Sequence, residues 1–193
     1  MQTISPMDII GETGGVFMSK IEIQKISITN IKADAVVNAA NSGLWEGGGV
    51  CGYIFQAAGS RELKAECDKY PNGCPTGQAV ITSSCKMKTC KYIIHAVGPC
   101  TGNPSDTEKS QLYDAYKNSL QLAMDNGCHS IAFPLISTGI FHYPVDDAWK
   151  RALRACVNFQ KKHPDYELDV YFAILDPKNI AVGQKTLAKI LAE

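Results

Sequence analysis

VVNAANSGLWEGGGVCGYIFQAAG, residues 36–59, decides how this chain folds. An apolar β-branched pair, Val36-Val37, runs into Asn38-Ala39-Ala40-Asn41, then a short loop, then Gly47-Gly48-Gly49, and only then an amphipathic stretch. A buried strand that feeds a helix through a glycine run is the opening of a βα unit. Three glycines directly before a helix let backbone N–H groups approach a ligand, and the helix N-terminus adds its partial positive charge. A phosphate or diphosphate is the guest such a loop suits. The alternative is a plain flexible connector, and Cys51 is the first reactive side chain beyond the glycines.

Outward from this stretch the same alternation continues. Residues 20–29, KIEIQKISIT, alternate apolar and polar at period two and predict a strand, and ADAVVNA predicts a buried one. Ile54, Phe55, Ala58, Leu63 and Cys67 fall on one side of a helix that Gly59-Ser60 interrupts. QAVITSS and KYIIHAVGP predict two strands joined by a basic turn at Lys86 and Lys88, and a helix over 107–126 follows, closed by Gly127. SIAFPLIS predicts another strand, Pro144 opens a helix to about Lys162, and DVYFAILD and residues 178–191 give a last strand and helix. Strands and helices in alternation imply an α/β fold with a central, largely parallel sheet and helices on both faces. Ligands then bind at the carboxyl ends of the strands, where the loops 41–51 and 137–143 converge.

Bulk properties narrow the class. With 193 residues, 45% of them hydrophobic, the chain fills one core and is short for two. Formal net charge is +0, which supplies no field toward nucleic acid or an anionic membrane. The sequence has no run of membrane-spanning length and no basic residue before Lys20, so the expected location is the cytoplasm and the expected state a monomer. The eight cysteines are scattered through predicted strands and helices, with no CxxC, which favours reduced thiols over a disulfide scaffold and gives no support to a metal site. No cofactor is implied.

Gly47, Gly49 and Gly52 also satisfy G-x-G-x-x-G, the dinucleotide fingerprint, which makes an NAD-dependent oxidoreductase the rival reading. In that unit the glycines follow the strand almost at once and an acidic residue about 20 positions on ends the next strand. Here Asn41 and Trp45 intervene, and Glu66 and Asp68 fall within the first predicted helix.

DAVVNAAN, GGGV, AAG, IIHAVGP and PLISTGIFHYP, in this order, resemble a macrodomain of the MacroD-like kind, the family that binds ADP-ribose. The resemblance runs from about Lys20 to the C-terminus, which divides the chain into an extension, 1–18, of unassigned role and a macrodomain, 19–193. It implies a three-layer α/β/α fold with a mixed central sheet, ADP-ribose and mono-ADP-ribosylated proteins as partners, and hydrolysis of mono-ADP-ribosyl groups or of O-acetyl-ADP-ribose. A non-catalytic ADP-ribose reader is the alternative.

Residue by residue, the resemblance implies that Gly48, Gly49 and Val50 wrap the diphosphate, and that Ser137, Thr138, Gly139, Ile140 and Phe141 close over it from the other side, with Phe141 against the distal ribose. Asn41 matches the asparagine that holds the distal ribose, and Asn38 is expected to tie loop backbone together. Ser27, with Ile28, stands where many members carry an Asp that reads the adenine amine, a neutral contact replacing a charge-assisted one at a cost of about 1 kcal/mol. Leu175 matches a position near adenine. Hydrolysing members often read GGGVDG, whereas this chain reads GGGVCG, as alphavirus macrodomains also read GVC. Cys51 is therefore either a packing and pocket-lining thiol or a group in the chemistry. His142, where the family commonly has Gly, is either a solvated loop histidine or a lid that acts as acid or base.

Overall fold

The computed structural model describes residues 19–193, so the expected extension, 1–18, lies outside the described residues. Six strands form one sheet: β1 (Ile21–Gln24), β2 (Ala35–Ala39), β3 (Ala79–Ser83), β4 (Tyr92–Ala96), β5 (Ser130–Phe133) and β6 (Asp169–Ala173). Their spatial order is β1-β6-β5-β2-β4-β3. All neighbours run parallel except β3, which turns back antiparallel on β4 through the basic hairpin, so the sheet is mixed as the resemblance implied.

β2 lies inside the sheet because both its faces are apolar, and its side chains alternate between two cores. Ala35 and Val37 face the helices α3 (Asp106–Asp125), α4 (Val145–Lys162) and α5 (Pro177–Leu191), while Val36 and Ala40 face α1 (Val50–Ala58) and α2 (Ser60–Cys67). Three helices on one side and two on the other make the α/β/α layering.

The boundaries follow local chemistry. Ser105 accepts from the Glu108 N–H and Glu108 reaches back to the Ser105 N–H, a capping box that starts α3 one residue before the expected position. Asp176 caps α5 through the Lys178 N–H, with Pro177 in the first turn. Gly59, at φ 84°, separates α1 from α2 where the sequence pattern placed an interruption. The expected strand over 20–29 is shorter. It stops at Gln24, since Asn30 and Ile31 both donate to the Ser27 carbonyl and turn the chain, while Ile28 is buried in the α1–α2 core. All eight cysteines are free thiols. No described helix is long and apolar enough to cross a membrane.

Candidate functional site

The carboxyl ends of β2, β4 and β5 open into a cavity of about 350 Å³. Its walls are the two loops that the glycine run and the second motif pointed to: Asn41, Trp45 and Gly47–Cys51 on one side, Pro134–Ser137 and Gly139–Phe141 on the other, with Ala39, Ala40 and Gly98 at the base. Ile140 bridges the loops, since a Cβ at Gly48 would stand 3.0 Å from its Cδ1.

On the first side the chain enters α1 with Gly49 at φ 59° and no side-chain cap. Among the described residues nothing accepts from the backbone N–H groups of Gly48, Gly49 and Val50, nor from those of Gly139, Ile140 and Phe141 opposite. Two sets of unspent donors thus border one cavity. Unspent N–H groups at a helix N-terminus and a tight loop form an anion cradle.

The second loop is held from below. Tyr116, fully buried, accepts from the Ile136 N–H at 2.8 Å and donates to the Pro134 carbonyl. Past the loop, Tyr143 donates to Asp147 at 2.6 Å and Arg151 pairs with the same carboxylate. Burial pushes the Asp147 carboxyl up, but the hydrogen bonds from Arg151 and Tyr143 outweigh it and the net direction is down. Ser137 adopts φ 68°, is buried, and has an Oγ without a partner at the cavity wall. It fits only because residue 98 is glycine: a Cβ there would sit 2.1 Å from Ser137 Oγ.

The loop tie expected of Asn38 is made by Asn41. Asn41 ties the loop, donating from Nδ2 to the Trp45 carbonyl at 2.9 Å and accepting the Trp45 N–H at 3.2 Å. It still lines the cavity, and each amide atom keeps capacity for one more bond. Asn38 does not tie loop backbone. It is fully buried, within 3.6 Å of Cys51 Sγ and 3.1 Å of His95 Nδ1. This follows from strand register: Asn38 and His95 are direct partners on β2 and β4, turned to the α1–α2 side. His95 Nε2 lies 3.0 Å from Thr82 Oγ1, and burial lowers its pKa to about 4. With Nδ1 accepting from Asn38, the imidazole is neutral and donates from Nε2.

Cys51 is 5% exposed. Its sulfur accepts the Gly47 N–H at 3.4 Å and faces the Trp45 carbonyl at 3.7 Å, so the thiol pins the glycine loop to the helix it precedes. Among the described residues no carboxylate or imidazole lines the cavity.

The structure brings Asn41, Gly48, Gly49, Val50, Cys51, Ser137, Gly139, Ile140 and Phe141 together. It leaves five expected residues off the cavity wall. Thr138 donates to the Leu135 carbonyl, shaping the loop. His142 is exposed at φ 57°, its N–H bonded to the Gly139 carbonyl. Ser27 Oγ lies 2.9 Å from Thr29 Oγ1, Ile28 is in the core, and Leu175 is exposed. Ser27 and Leu175 follow β1 and β6, which pair in parallel, so both stand at one end of the sheet. Gly98, Trp45 and the 134–136 segment were not anticipated. A glycine and a proline closing KYIIHAVGP were the only signal for the first; an indole in a polar loop was the signal for the second.

A family model described as Macro domain matches residues 37–152. The chain is 40% identical to the O-acetyl-ADP-ribose deacetylase of Escherichia fergusonii, over 89% of this chain and 97% of that one. It is 44% identical to the ADP-ribose glycohydrolase MACROD2 of Xenopus laevis over 80% of this chain, a match that spans 37% of that longer protein. A variant of the Oceanobacillus iheyensis macrodomain, solved with ADPR, superposes with a TM-score of 0.81 at 32% identity, covering 90% of this chain and 93% of that one.

Proposed function

The chain belongs to the Macro domain family, and on that premise we propose that it binds ADP-ribose in the cavity between the glycine loop and the 137–141 loop and hydrolyses mono-ADP-ribosyl groups from proteins, with O-acetyl-ADP-ribose as a second substrate. The observation that carries the reading is the pair of unspent N–H sets bordering one cavity. They suit a diphosphate, whose charge a neutral wall without carboxylates does not repel.

In this reading the N–H groups of Gly48, Gly49, Val50, Gly139 and Ile140 take the diphosphate. Asn41 turns its remaining donor and acceptor to the hydroxyls of the distal ribose, and Phe141 limits the pose of that sugar. Ser27, Ile28 and Leu175 serve the adenine end. A water held against the diphosphate attacks the anomeric carbon, the bond from that carbon to the acceptor oxygen breaks, and the proton the water gives up passes to the departing acceptor oxygen. With no ionisable side chain but Cys51 at the wall, catalysis rests on positioning and on charge stabilisation by fixed dipoles. Cys51 holds the loop and is not the nucleophile. His142, exposed and off the wall, leaves the chemistry to the backbone.

That same neutral wall is the observation favouring the second reading, a reader that binds without turnover. The two are separated by measuring ADP-ribose affinity and single-turnover release from a mono-ADP-ribosylated protein for the natural chain and for Asn41→Ala. Turnover lost by tenfold or more, with affinity changed only a few-fold, is the expected result. Tight binding with no release by the natural chain leaves the reader.

A further inference from the structure

A second cavity, of about 500 Å³, lies on the far side of the Asn41–Trp45 loop. It is lined by Ser42, Gly43 and Trp45 from that loop and by residues of the segment after α2, among them Asp68, Tyr70 and Asn72. Trp45 is the one residue that lines both cavities.

Three observations mark this as a built surface. The Trp45 backbone is held at both ends by the Asn41 amide and its carbonyl also faces Cys51 Sγ, yet its side chain is 61% exposed and lies over Gly43, where a Cβ would be 1.8 Å from the ring. A large ring with a fixed backbone and a free face is a recognition element rather than a packing one. The two walls of the cavity are joined: the Cys74 N–H donates to the Ser42 carbonyl at 2.8 Å, and Gly73, at φ 65°, approaches that carbonyl so closely that a Cβ would stand 2.1 Å away. Within the wall, Ser42 and Asn72 have exposed side chains that make no hydrogen bond to described residues, and the one charged group among the described lining residues, the Asp68 carboxylate, is paired with Lys64 at 2.6 Å.

We propose that the second cavity is the acceptor subsite, taking the polypeptide segment that carries the ADP-ribosyl group. The inference rests on the proposed function, because Asn41 and Trp45 then stand at the distal ribose, the sugar bonded to the acceptor. The segment crosses the Trp45 ring from the first cavity into the second. Its backbone meets the Ser42 hydroxyl and the Asn72 amide, and neutral flanking residues suit a wall whose one carboxylate is already paired with Lys64.

The test uses Asn72→Arg, which places a long cation in the cavity from an exposed position and leaves the first cavity intact. Expected for the variant is a tenfold or greater fall in kcat/KM for a mono-ADP-ribosylated peptide with neutral flanks, while kcat/KM for O-acetyl-ADP-ribose and the ADP-ribose Kd stay within twofold. Asn72→Ala, scored on the same three quantities, guards against misfolding and is expected to lie between. Equal losses on both substrates, or none on the peptide, overturn the subsite. A natural chain that neither binds ADP-ribose nor turns over O-acetyl-ADP-ribose overturns the parent reading instead.

Discussion

Against α3, α4 and α5 the sheet packs Tyr116, Phe133, Trp149 and Phe172 ring against ring, with centroids 5.0 to 6.3 Å apart, whereas against α1 and α2 it buries Asn38, Thr82 and His95 among small and aliphatic side chains, Phe55 and three thiols. The ring cluster of the first face is dry packing, worth most per residue. The second carries polar groups whose burial costs free energy unless each finds a partner, and Asn38 Oδ1 finds none. The cavity sits at the carboxyl end of that second face. Rigidity for the loops is supplied from the first, through Tyr116, and the polar, pH-sensitive burial is placed behind the glycine loop.

The largest effect expected from this division is on the dry face. Trp149→Ala removes a fully buried ring packed on Phe172 and an indole N–H bonded to the Asn179 carbonyl, and is expected to cost about 3–5 kcal/mol in denaturant unfolding. ADP-ribose affinity of the remaining folded protein should hold within a few-fold. Loss of affinity with little loss of stability would break the comparison.

Next comes pH. His95 is neutral when buried, with a pKa lowered from 6.5 to about 4, so the unfolded chain binds its proton first. Its contribution is fully present above about pH 6.5 and is lost as pH falls from there toward 4, at up to ~1.4 kcal/mol per unit, about 3 kcal/mol in all. The measurement is urea unfolding from pH 7 to 4 for the natural chain and for His95→Gln. The difference between the two curves should be level near pH 7 and change below about pH 6.5 as the natural chain loses stability relative to the variant; a constant difference would show that His95 is not the titrating group.

Somewhat smaller is the effect of ligand. ADP-ribose at about 100 times its Kd should add roughly 2.7 kcal/mol, with NAD adding far less because the proposed pose encloses the distal ribose between Asn41 and Phe141. Hydrogen exchange should show the added protection in β2, α1 and the 137–141 loop more than in α4 and α5. Equal stabilisation by NAD would return the dehydrogenase reading.

The comparison also explains what the sequence disclosed. Continuous apolar runs placed the buried strands β2, β4 and β5, periodicity placed the long helices because each has one apolar face to bury, and the glycine run placed the anion-facing loop because few other residues tolerate it. The strand expected to 29 ended at Gln24 since alternation persists through a turn whose side chains still face a core, as Ile28 does. The burial of Asn38 was beyond local reading: it depends on β2 and β4 register, which puts His95 beside residue 38 from 57 positions away. Gly98 and Ser137 follow β4 and β5, which flank β2, and their fit is visible only once the three strands are assembled.

The smallest effect is expected at Cys51, the residue on which the two faces and the chemistry meet. Its sulfur makes three contacts, at 3.4 Å from the Gly47 N–H, 3.6 Å from Asn38 Nδ2 and 3.7 Å from the Trp45 carbonyl, all of them weak sulfur hydrogen bonds. Cys51→Ala should therefore cost about 1 kcal/mol of stability, keep ADP-ribose binding and retain much of the hydrolysis. Cys51→Asp should raise hydrolysis, since a carboxylate there meets the Gly47 N–H and the Asn38 amide and can order the attacking water. Intact-mass spectrometry during turnover should detect no ADP-ribosyl adduct. An adduct on Cys51 together with an inactive Cys51→Ala variant would make the thiol the nucleophile, and the polar layer behind it, Asn38 and His95, the apparatus that activates it.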